Sequence, residues 1–189
     1  MGIFPTESFR RDWFKVANLV TSLRLLVSWL PAAILLSAPD DSPMRWWAAG
    51  AFVAIAATDV VDGYIARRFN QVTAWGMFLD PLVDKLLVGL TLVALCGIYH
   101  WLIPIAVLML AREVVITWQI KSRGQIQAAV WSGKIKMFSQ ALLIVILLLP
   151  SEVTPGWSVG ISAVNAVLWT LLSWLDYYER FVYGRPVVS

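Results

Sequence analysis

Charged residues are scarce in this chain. Only 14% of its 189 residues are Asp, Glu, Lys or Arg, against roughly a quarter in a typical soluble domain. Hydrophobic residues make up 59% of the sequence, and eleven of them are tryptophans. Such a composition excludes a disordered chain and an ordinary water-soluble domain. We therefore expect an integral membrane protein that forms a single domain.

Cysteine and histidine are almost absent. Cys96 is the sole cysteine and His100 the sole histidine. One cysteine excludes an internal disulfide and a cysteine-rich metal site. His100 falls in the segment 97–104, where glycine, proline and aromatic residues predict a turn at the membrane surface, so we assign it no catalytic role. A small-residue cleavage site does not convincingly end the first apolar segment, so we expect no cleavable signal peptide.

The apolar segments predict an all-α integral membrane protein with six transmembrane helices. A spanning helix needs about 20 mostly apolar residues, and several uncharged runs are shorter, so the helices must extend into charged sequence. The run 86–111 is too long for one pass, and it includes the predicted turn. The predicted six-helix bundle, 17–178, has spans at residues 17–38, 44–68, 78–98, 102–122, 131–150 and 157–178.

Both ends of the chain are predicted to lie in the cytoplasm. The first 16 residues combine aromatic with basic side chains, which is typical of an amphipathic interfacial helix. Basic residues also concentrate near Arg67, near Lys134 and in the predicted tail, 179–189, whereas the opposite side has only Arg45. Because positive residues mark the cytoplasmic side, an even number of spans places both termini there.

Four aspartates cluster where two predicted helices flank a short connection, about 69–77. Asp59 and Asp62 are three residues apart, and Asp80 and Asp84 are four apart, so each pair occupies one helix face. Four charges at membrane depth would cost on the order of 10 kcal/mol and would repel one another without a cation. Carboxylate oxygens suit Mg²⁺, Mn²⁺ or Ca²⁺. Two such ions would neutralise the four carboxylates.

Small and basic residues accompany the aspartates. Gly63 and Gly76 allow a ligand to approach the backbone closely, and Ala66 is also small. Arg67 offers a fixed fork of donors that suits a phosphate. Together these residues favour a metal-bound diphosphate. Two other interpretations stay open: close helix packing also explains the glycines, and the aspartates can form a solvated face or pair with nearby basic residues.

The segment from Asp59 to Asp84 fits the pattern D-x2-D-G-x2-A-R-x8-G-x3-D-x3-D at every position. This pattern resembles the signature of the CDP-alcohol phosphatidyltransferase family, and the similarity in length and span number extends over nearly the whole chain. The resemblance implies a six-helix fold and a homodimer. It also implies transfer of a phosphatidyl or related group from a CDP-linked donor to an alcohol, with release of CMP.

The resemblance implies roles for individual residues as well. Asp59, Asp62 and Asp80 would ligate two Mg²⁺ or Mn²⁺ ions, with Asp84 as a neighbouring member of the metal site. Asp84 would also be the general base. The CDP-binding residues would be Asp59, Asp62, Gly63, Ala66, Arg67 and Gly76, together with Asn18 and Thr21 from an early segment that is similar to one near the nucleotide site of the family.

Basic residues in the second half of the chain bear on the acceptor alcohol. Arg112 lies inside the fourth predicted span, where an ionisable residue is a functional candidate by default, and Lys134 and Lys136 open the fifth. Their segments resemble those of bacterial family members that use CDP-diacylglycerol as donor and sn-glycerol 3-phosphate as acceptor. These three residues would therefore bind the acceptor phosphate. Met137 departs from that group, in which threonine is usual.

The same resemblance implies a multi-pass protein of the bacterial cytoplasmic membrane, with its site facing the cytoplasm. Its partners would be membrane lipids and the two substrates, with no nucleic acid. Alternatives stay open: an internal pair of Arg112 with Glu113 or with a cluster aspartate, and a role for the lysines in topology and lipid binding. The acceptor can instead be phosphatidylglycerol or an inositol phosphate. Divalent-cation transport is the alternative outside enzymes, but its carboxylates would be distributed across the membrane.

Overall fold

The computed structural model describes residues 16–37, 43–68, 74–123 and 131–183. All regular structure in these ranges is helical, which confirms the all-α prediction. The α-helices are α1 (Val16–Val27), α2 (Leu30–Ser37), α3 (Met44–Arg68), α4 (Ala74–Ile98), α5 (Ile103–Arg123), α6 (Trp131–Leu148) and α7 (Gly156–Tyr183), and a 3₁₀ helix covers His100–Leu102.

The helix bounds agree with most of the predicted spans to within a few residues. α3 covers the same residues as its predicted span, and the break between α4 and α5 falls within the predicted turn, 97–104. α4 begins at Ala74, before the predicted position 78. α7 continues to Tyr183, so the first residues of the predicted tail extend the last helix. Residues 1–15 of the predicted interfacial helix lie outside the described residues, and Val16 is the first residue of α1.

The first predicted span, 17–38, is not one uninterrupted helix, because the chain forms two helices there. α1 ends at Val27, and α2 begins three residues later. Pro31 explains the break, since proline lacks an N–H and its ring clashes with the carbonyl four residues earlier, which is that of Val27. Pro31 lies in the first turn of α2, where N–H groups have no partner within the helix, so the missing N–H of proline costs no hydrogen bond. The hydroxyl of Ser28 donates to the carbonyl of Leu25 at 2.9 Å and satisfies an acceptor near the end of α1.

The chain divides into two compact units, residues 1–91 and 92–189. In the first unit α1 and α2 pack against α3, and fully buried side chains include Leu35, Phe52 and Leu87. In the second unit α6 packs along α7, and α5 also contacts α7. Its buried side chains include Leu95, Leu102, Leu143, Ile144 and Leu148. Each unit therefore has a core of its own.

Large apolar side chains are exposed along most of the helices. Val107 and Val114 on α5 are 61% and 69% exposed, and Val164 on α7 is 60% exposed. So many exposed large apolar side chains are unusual on soluble proteins and typical of contact with lipid. Tryptophans that are exposed near helix ends are Trp46, Trp47, Trp101, Trp131 and Trp157. Tryptophan in this position is typical of the membrane–water interface.

Three described helical segments are long and apolar enough to cross a membrane. They are His100–Gln119, Trp131–Leu148 and Gly156–Glu179. These segments correspond to the last three predicted spans. The first three spans, the six-span total and the cytoplasmic position of the termini stay predictions.

The core of the second unit provides a matched test of packing. Leu143→Ala removes a side chain that is 0% exposed, whereas neighbouring Leu142 is 44% exposed. Leu→Ala in soluble cores costs roughly 2–5 kcal/mol. Lipid is as apolar as the core, so packing provides most of the effect here, and we expect about 2 kcal/mol. Leu143→Ala should lower Tm by about 4–8 °C in a thermal-unfolding measurement in detergent. A similar shift for Leu142→Ala would contradict the burial pattern.

Candidate functional site

The four signature aspartates lie on two continuous helices. Asp59 and Asp62 fall within α3, and Asp80 and Asp84 fall within α4. Their spacing therefore places each pair on one face of its helix, as predicted. This all-oxygen donor set fits a hard divalent cation. The side chains of the first three aspartates lie outside the described part, so the two-ion site stays a prediction.

The backbone also locates the other predicted donor-side residues. Gly63, Ala66 and Arg67 lie in the last two turns of α3, and Gly76 lies in the first turn of α4. Asn18 and Thr21 lie on α1, three residues apart and therefore on one face of that helix. Helix α4 begins at Ala74, so the connection between α3 and α4 is shorter than the predicted one, about 69–77. Contacts of these side chains with CDP stay predictions.

Asp84 is the signature aspartate whose side chain is described, and it pairs with a buried arginine. Its Oδ1 accepts a hydrogen bond from Nη2 of Arg24 at 3.1 Å. The side chain of Arg24 is 3% exposed and that of Asp84 is 23% exposed. This ion pair joins α1 to α4 and restrains the orientation of the carboxylate. A defined orientation is what a general base needs, because proton transfer requires hydrogen-bond contact with the substrate hydroxyl.

Arg24 is absent from the predicted site. The sequence placed alternative partners of the aspartates close by, whereas the described partner of Asp84 is 60 residues away in the chain. A usable signal was present, since Arg24 is a basic residue between Leu23 and Leu25 in an apolar helix. Ionisable residues in such a position are functional candidates. Their partner, however, depends on how the helices pack.

A second group of charges joins α5 to α6. Oε1 of Glu113 accepts hydrogen bonds from Nη1 of Arg112 at 3.0 Å and from Nζ of Lys136. Arg112 is 4% exposed and Lys136 is 3% exposed. We call these three residues the α5–α6 charge cluster. The internal Arg112–Glu113 pair considered from the sequence is thus present, and Lys136 extends it.

The α5–α6 charge cluster has more positive than negative charge. Two cations meet one carboxylate, so the formal sum is one positive charge. A buried charge of this kind is costly unless an opposite charge accompanies it. An anion that reached these two cations would form charge-assisted hydrogen bonds, which are stronger than neutral ones.

Arg112 also has donors that remain available. Its Nε and Nη2 atoms are buried and have no hydrogen-bond partner among the described residues. These two groups share one edge of the guanidinium, which is the fork that binds a carboxylate or phosphate with two parallel hydrogen bonds. Each buried donor without a partner costs about 1–3 kcal/mol. An oxyanion on this edge would remove that cost.

Lys134 lies apart from the α5–α6 charge cluster. It is exposed, and its Nζ lies 5.1 Å from the ring centroid of Trp131 in a cation–π contact. Residues two apart on a helix point about 200° from each other, so burial of Lys136 directs Lys134 outward. The structure brings together two of the three predicted acceptor residues, and a role for Lys134 stays a prediction.

Two residues of α7 lie beside the α5–α6 charge cluster and its helices. The ring centroid of Tyr177 lies 5.1 Å from Cζ of Arg112. Asp176 accepts a hydrogen bond from the hydroxyl of Ser132, in the first turn of α6, at 2.6 Å. Neither α7 residue is in the predicted site. Tyrosine near the end of a membrane helix is typical of the interface, so the position of Tyr177 in the sequence does not indicate a role at the site.

The sequence comparisons agree with the position of the signature. The family model for CDP-alcohol phosphatidyltransferases matches residues 14–175. A relative from Sodalis glossinidius (strain morsitans) is 36% identical over 146 residues, which are 70% of this chain and 80% of the relative. A relative from Shigella flexneri serotype 5b (strain 8401) is 34% identical over 174 residues, which are 86% of this chain and 94% of the relative.

A relative from Escherichia coli (strain K12) is 33% identical over 173 residues, again 86% of this chain and 94% of the relative. All three relatives bear the name CDP-diacylglycerol–glycerol-3-phosphate 3-phosphatidyltransferase. The family match covers most of the chain, and the full signature lies within it. The chain therefore belongs to the CDP-alcohol phosphatidyltransferase family and is an enzyme of the transferase class.

Proposed function

We propose that this protein transfers a phosphatidyl group from CDP-diacylglycerol to sn-glycerol 3-phosphate, giving phosphatidylglycerophosphate and CMP. The observation that carries the choice of acceptor is the buried Arg112, whose Nε and Nη2 lack a partner among the described residues, beside the buried Lys136. This arrangement suits an acceptor that has a phosphate of its own. The names of the relatives support the same substrates.

The donor side would be held by the signature. Members of this family generally depend on a divalent metal, and Asp59, Asp62 and Asp80 are the residues that would hold two Mg²⁺ or Mn²⁺ ions, together with Asp84. When bound, such ions neutralise the diphosphate and stabilise the departing phosphate. The glycines of the signature leave room for CDP near the backbone. Arg67 adds a guanidinium that suits a phosphate oxygen.

Asp84 would act as the general base. Its carboxylate takes the proton of the 1-hydroxyl of sn-glycerol 3-phosphate, and that oxygen forms a bond to the β-phosphorus of CDP-diacylglycerol. The bond from this phosphorus to the bridging oxygen breaks, and the bridging oxygen leaves with CMP. Arg24 would hold the carboxylate in position through the 3.1 Å hydrogen bond. Phosphoryl-type transfer depends mainly on such positioning and on charge stabilisation.

On the acceptor side, the open edge of Arg112 would bind two oxygens of the glycerol phosphate. Lys136 would add a second positive charge, which Glu113 places next to the guanidinium. Phosphatidylglycerol also has a phosphate, but as a diester it has one negative charge rather than about two. The net positive charge of the cluster therefore favours the monoester acceptor.

The setting of the reaction follows from the same family resemblance. We propose a location in the bacterial cytoplasmic membrane, with the active site facing the cytoplasm, where a water-soluble glycerol phosphate is accessible. Exposed apolar side chains on the described helices support contact with lipid. The family resemblance also favours a homodimer.

An acceptor panel tests the proposed reaction. Purified protein receives CDP-diacylglycerol, Mg²⁺ or Mn²⁺ and one acceptor at a time, and CMP release is measured. We expect release with sn-glycerol 3-phosphate and at least tenfold less with phosphatidylglycerol or an inositol phosphate. Release with phosphatidylglycerol alone would contradict the acceptor assignment, and its product would be cardiolipin. Absence of CMP with every acceptor would overturn the proposed transfer.

Substitution of Asp84 tests the general base. Asp84→Asn keeps the size of the side chain but removes its ability to take a proton, so we expect kcat to fall by about 10²–10⁴-fold. CDP binding, measured by calorimetry in the presence of the metal, should change much less. A variant with more than half of the wild-type kcat would exclude Asp84 from this role.

Two lysines on one helix test the acceptor-phosphate site. Lys136→Met keeps a side chain of similar length but removes a buried charge, so we expect the KM for sn-glycerol 3-phosphate to rise about tenfold, which corresponds to about 1.4 kcal/mol. The KM for CDP-diacylglycerol should stay within about twofold. Lys134→Met removes an exposed charge and should have a smaller effect. A larger effect at Lys134 would mean that its ammonium, and not that of Lys136, contacts the acceptor.

A further inference from the structure

Tyr177 of α7 contacts the arginine that the proposed function assigns to the acceptor phosphate. Its ring centroid lies 5.1 Å from Cζ of Arg112, within the range of a cation–π contact. We propose that Tyr177 is a positioning residue for the acceptor, because it holds Arg112 with its Nε and Nη2 edge directed at the phosphate. This inference rests on the proposed function of Arg112.

The guanidinium of Arg112 needs more than one restraint to present that edge. The hydrogen bond from Nη1 to Glu113 fixes one corner at 3.0 Å, but one bond leaves the plane free to rotate about the line between donor and acceptor. The Tyr177 ring lies 5.1 Å from Cζ of Arg112, measured to the ring centroid, and this contact limits the rotation. Nε and Nη2 have no hydrogen-bond partner among the described residues beside this contact, so the ring restrains Arg112 without taking a hydrogen bond that an anion would use.

Tyr177 is itself placed by contacts between α7 and α6. The hydroxyl of Ser132 donates to Oδ2 of Asp176 at 2.6 Å and ties the two helices together one residue before Tyr177. An ideal Cβ on Gly133 would lie 3.9 Å from the Tyr177 hydroxyl, so the start of α6 passes close to the far end of the ring. The tyrosine therefore lies between α6 and Arg112, on the helix pair that also supplies Lys136.

The burial of Arg112 makes the restraint consequential. With 4% of its surface exposed, the guanidinium has little water to align it, and its orientation depends on protein contacts. A phosphate that needs two parallel hydrogen bonds is sensitive to the direction of both donors. Loss of the ring should therefore weaken acceptor binding while the charge of Arg112 is retained.

The test compares two substitutions at Tyr177 with a neighbouring control. Tyr177→Leu removes the ring, and we expect the KM for sn-glycerol 3-phosphate to rise about tenfold. Tyr177→Phe retains the ring, and its KM should stay within about threefold of the wild-type value. Tyr178 is 55% exposed, and Tyr178→Leu should leave both substrate KM values and kcat unchanged. For all variants the KM for CDP-diacylglycerol is measured in the same preparation.

A double-mutant cycle separates positioning from a general packing role. In an Arg112→Ala background the ring has no guanidinium to hold, so adding Tyr177→Leu should not raise the acceptor KM further. A purely structural tyrosine would instead give additive effects, or would raise the KM for both substrates, and either result would overturn the inference. Equal acceptor KM values for Tyr177→Leu and the wild type would also overturn it.

The same cycle distinguishes failure of this inference from failure of the proposed function. If Arg112→Ala raises the KM for sn-glycerol 3-phosphate but Tyr177→Leu does not, the acceptor site stands and the positioning role is wrong. If Arg112→Ala leaves that KM unchanged, the acceptor-phosphate role of Arg112 is wrong, and the role of Tyr177 falls with it.

Discussion

A charge inside an apolar helix bundle is stable only beside an opposite charge, and this constraint organises the described part of the protein. Arg24 meets Asp84, and Glu113 lies between Arg112 and Lys136. Removing one member of a buried pair typically costs about 3–5 kcal/mol, yet replacing the whole pair by apolar side chains is often neutral or stabilising. Stability alone therefore gives little reason for these charges. Their presence is better explained by chemistry that needs them.

The two charge groups differ in composition, and the difference matches their proposed roles. Arg24 and Asp84 form an ion pair of one cation with one carboxylate. Such a pair suits a carboxylate that must keep a fixed orientation while it takes a proton. The α5–α6 charge cluster has two cations for one carboxylate, and the proposed acceptor phosphate would bring further negative charge to it. In the proposed function, one arrangement would orient a reacting group and the other would attract a charged substrate.

Local sequence signals predicted the helices well and included the neighbouring Arg112–Glu113 pair, but they did not predict the pairings between helices. Pro43 immediately precedes α3, and a proline there is compatible with a helix start, which agrees with the observed start at Met44. Pro31 is an equally local signal, and the predicted span 17–38 did not take it into account. Pairing across 60 residues depends on helix packing that no local pattern encodes. The separation of Lys134 from Lys136 was readable, because residues two apart on a helix point in different directions.

The order of the functional residues along the chain explains why the signature does not identify the acceptor. Every donor-side candidate precedes the division at residue 91, whereas the acceptor candidates follow it. If the proposed acceptor site is right, substitutions around Arg112 or Tyr177 would change acceptor affinity while the aspartates and their spacing stay the same. The chemistry that the signature supports is shared by the family, and in the proposed function the alcohol would be selected by charge and ring placement on α5, α6 and α7. An acceptor assignment for a member of this family must consequently be argued from those helices.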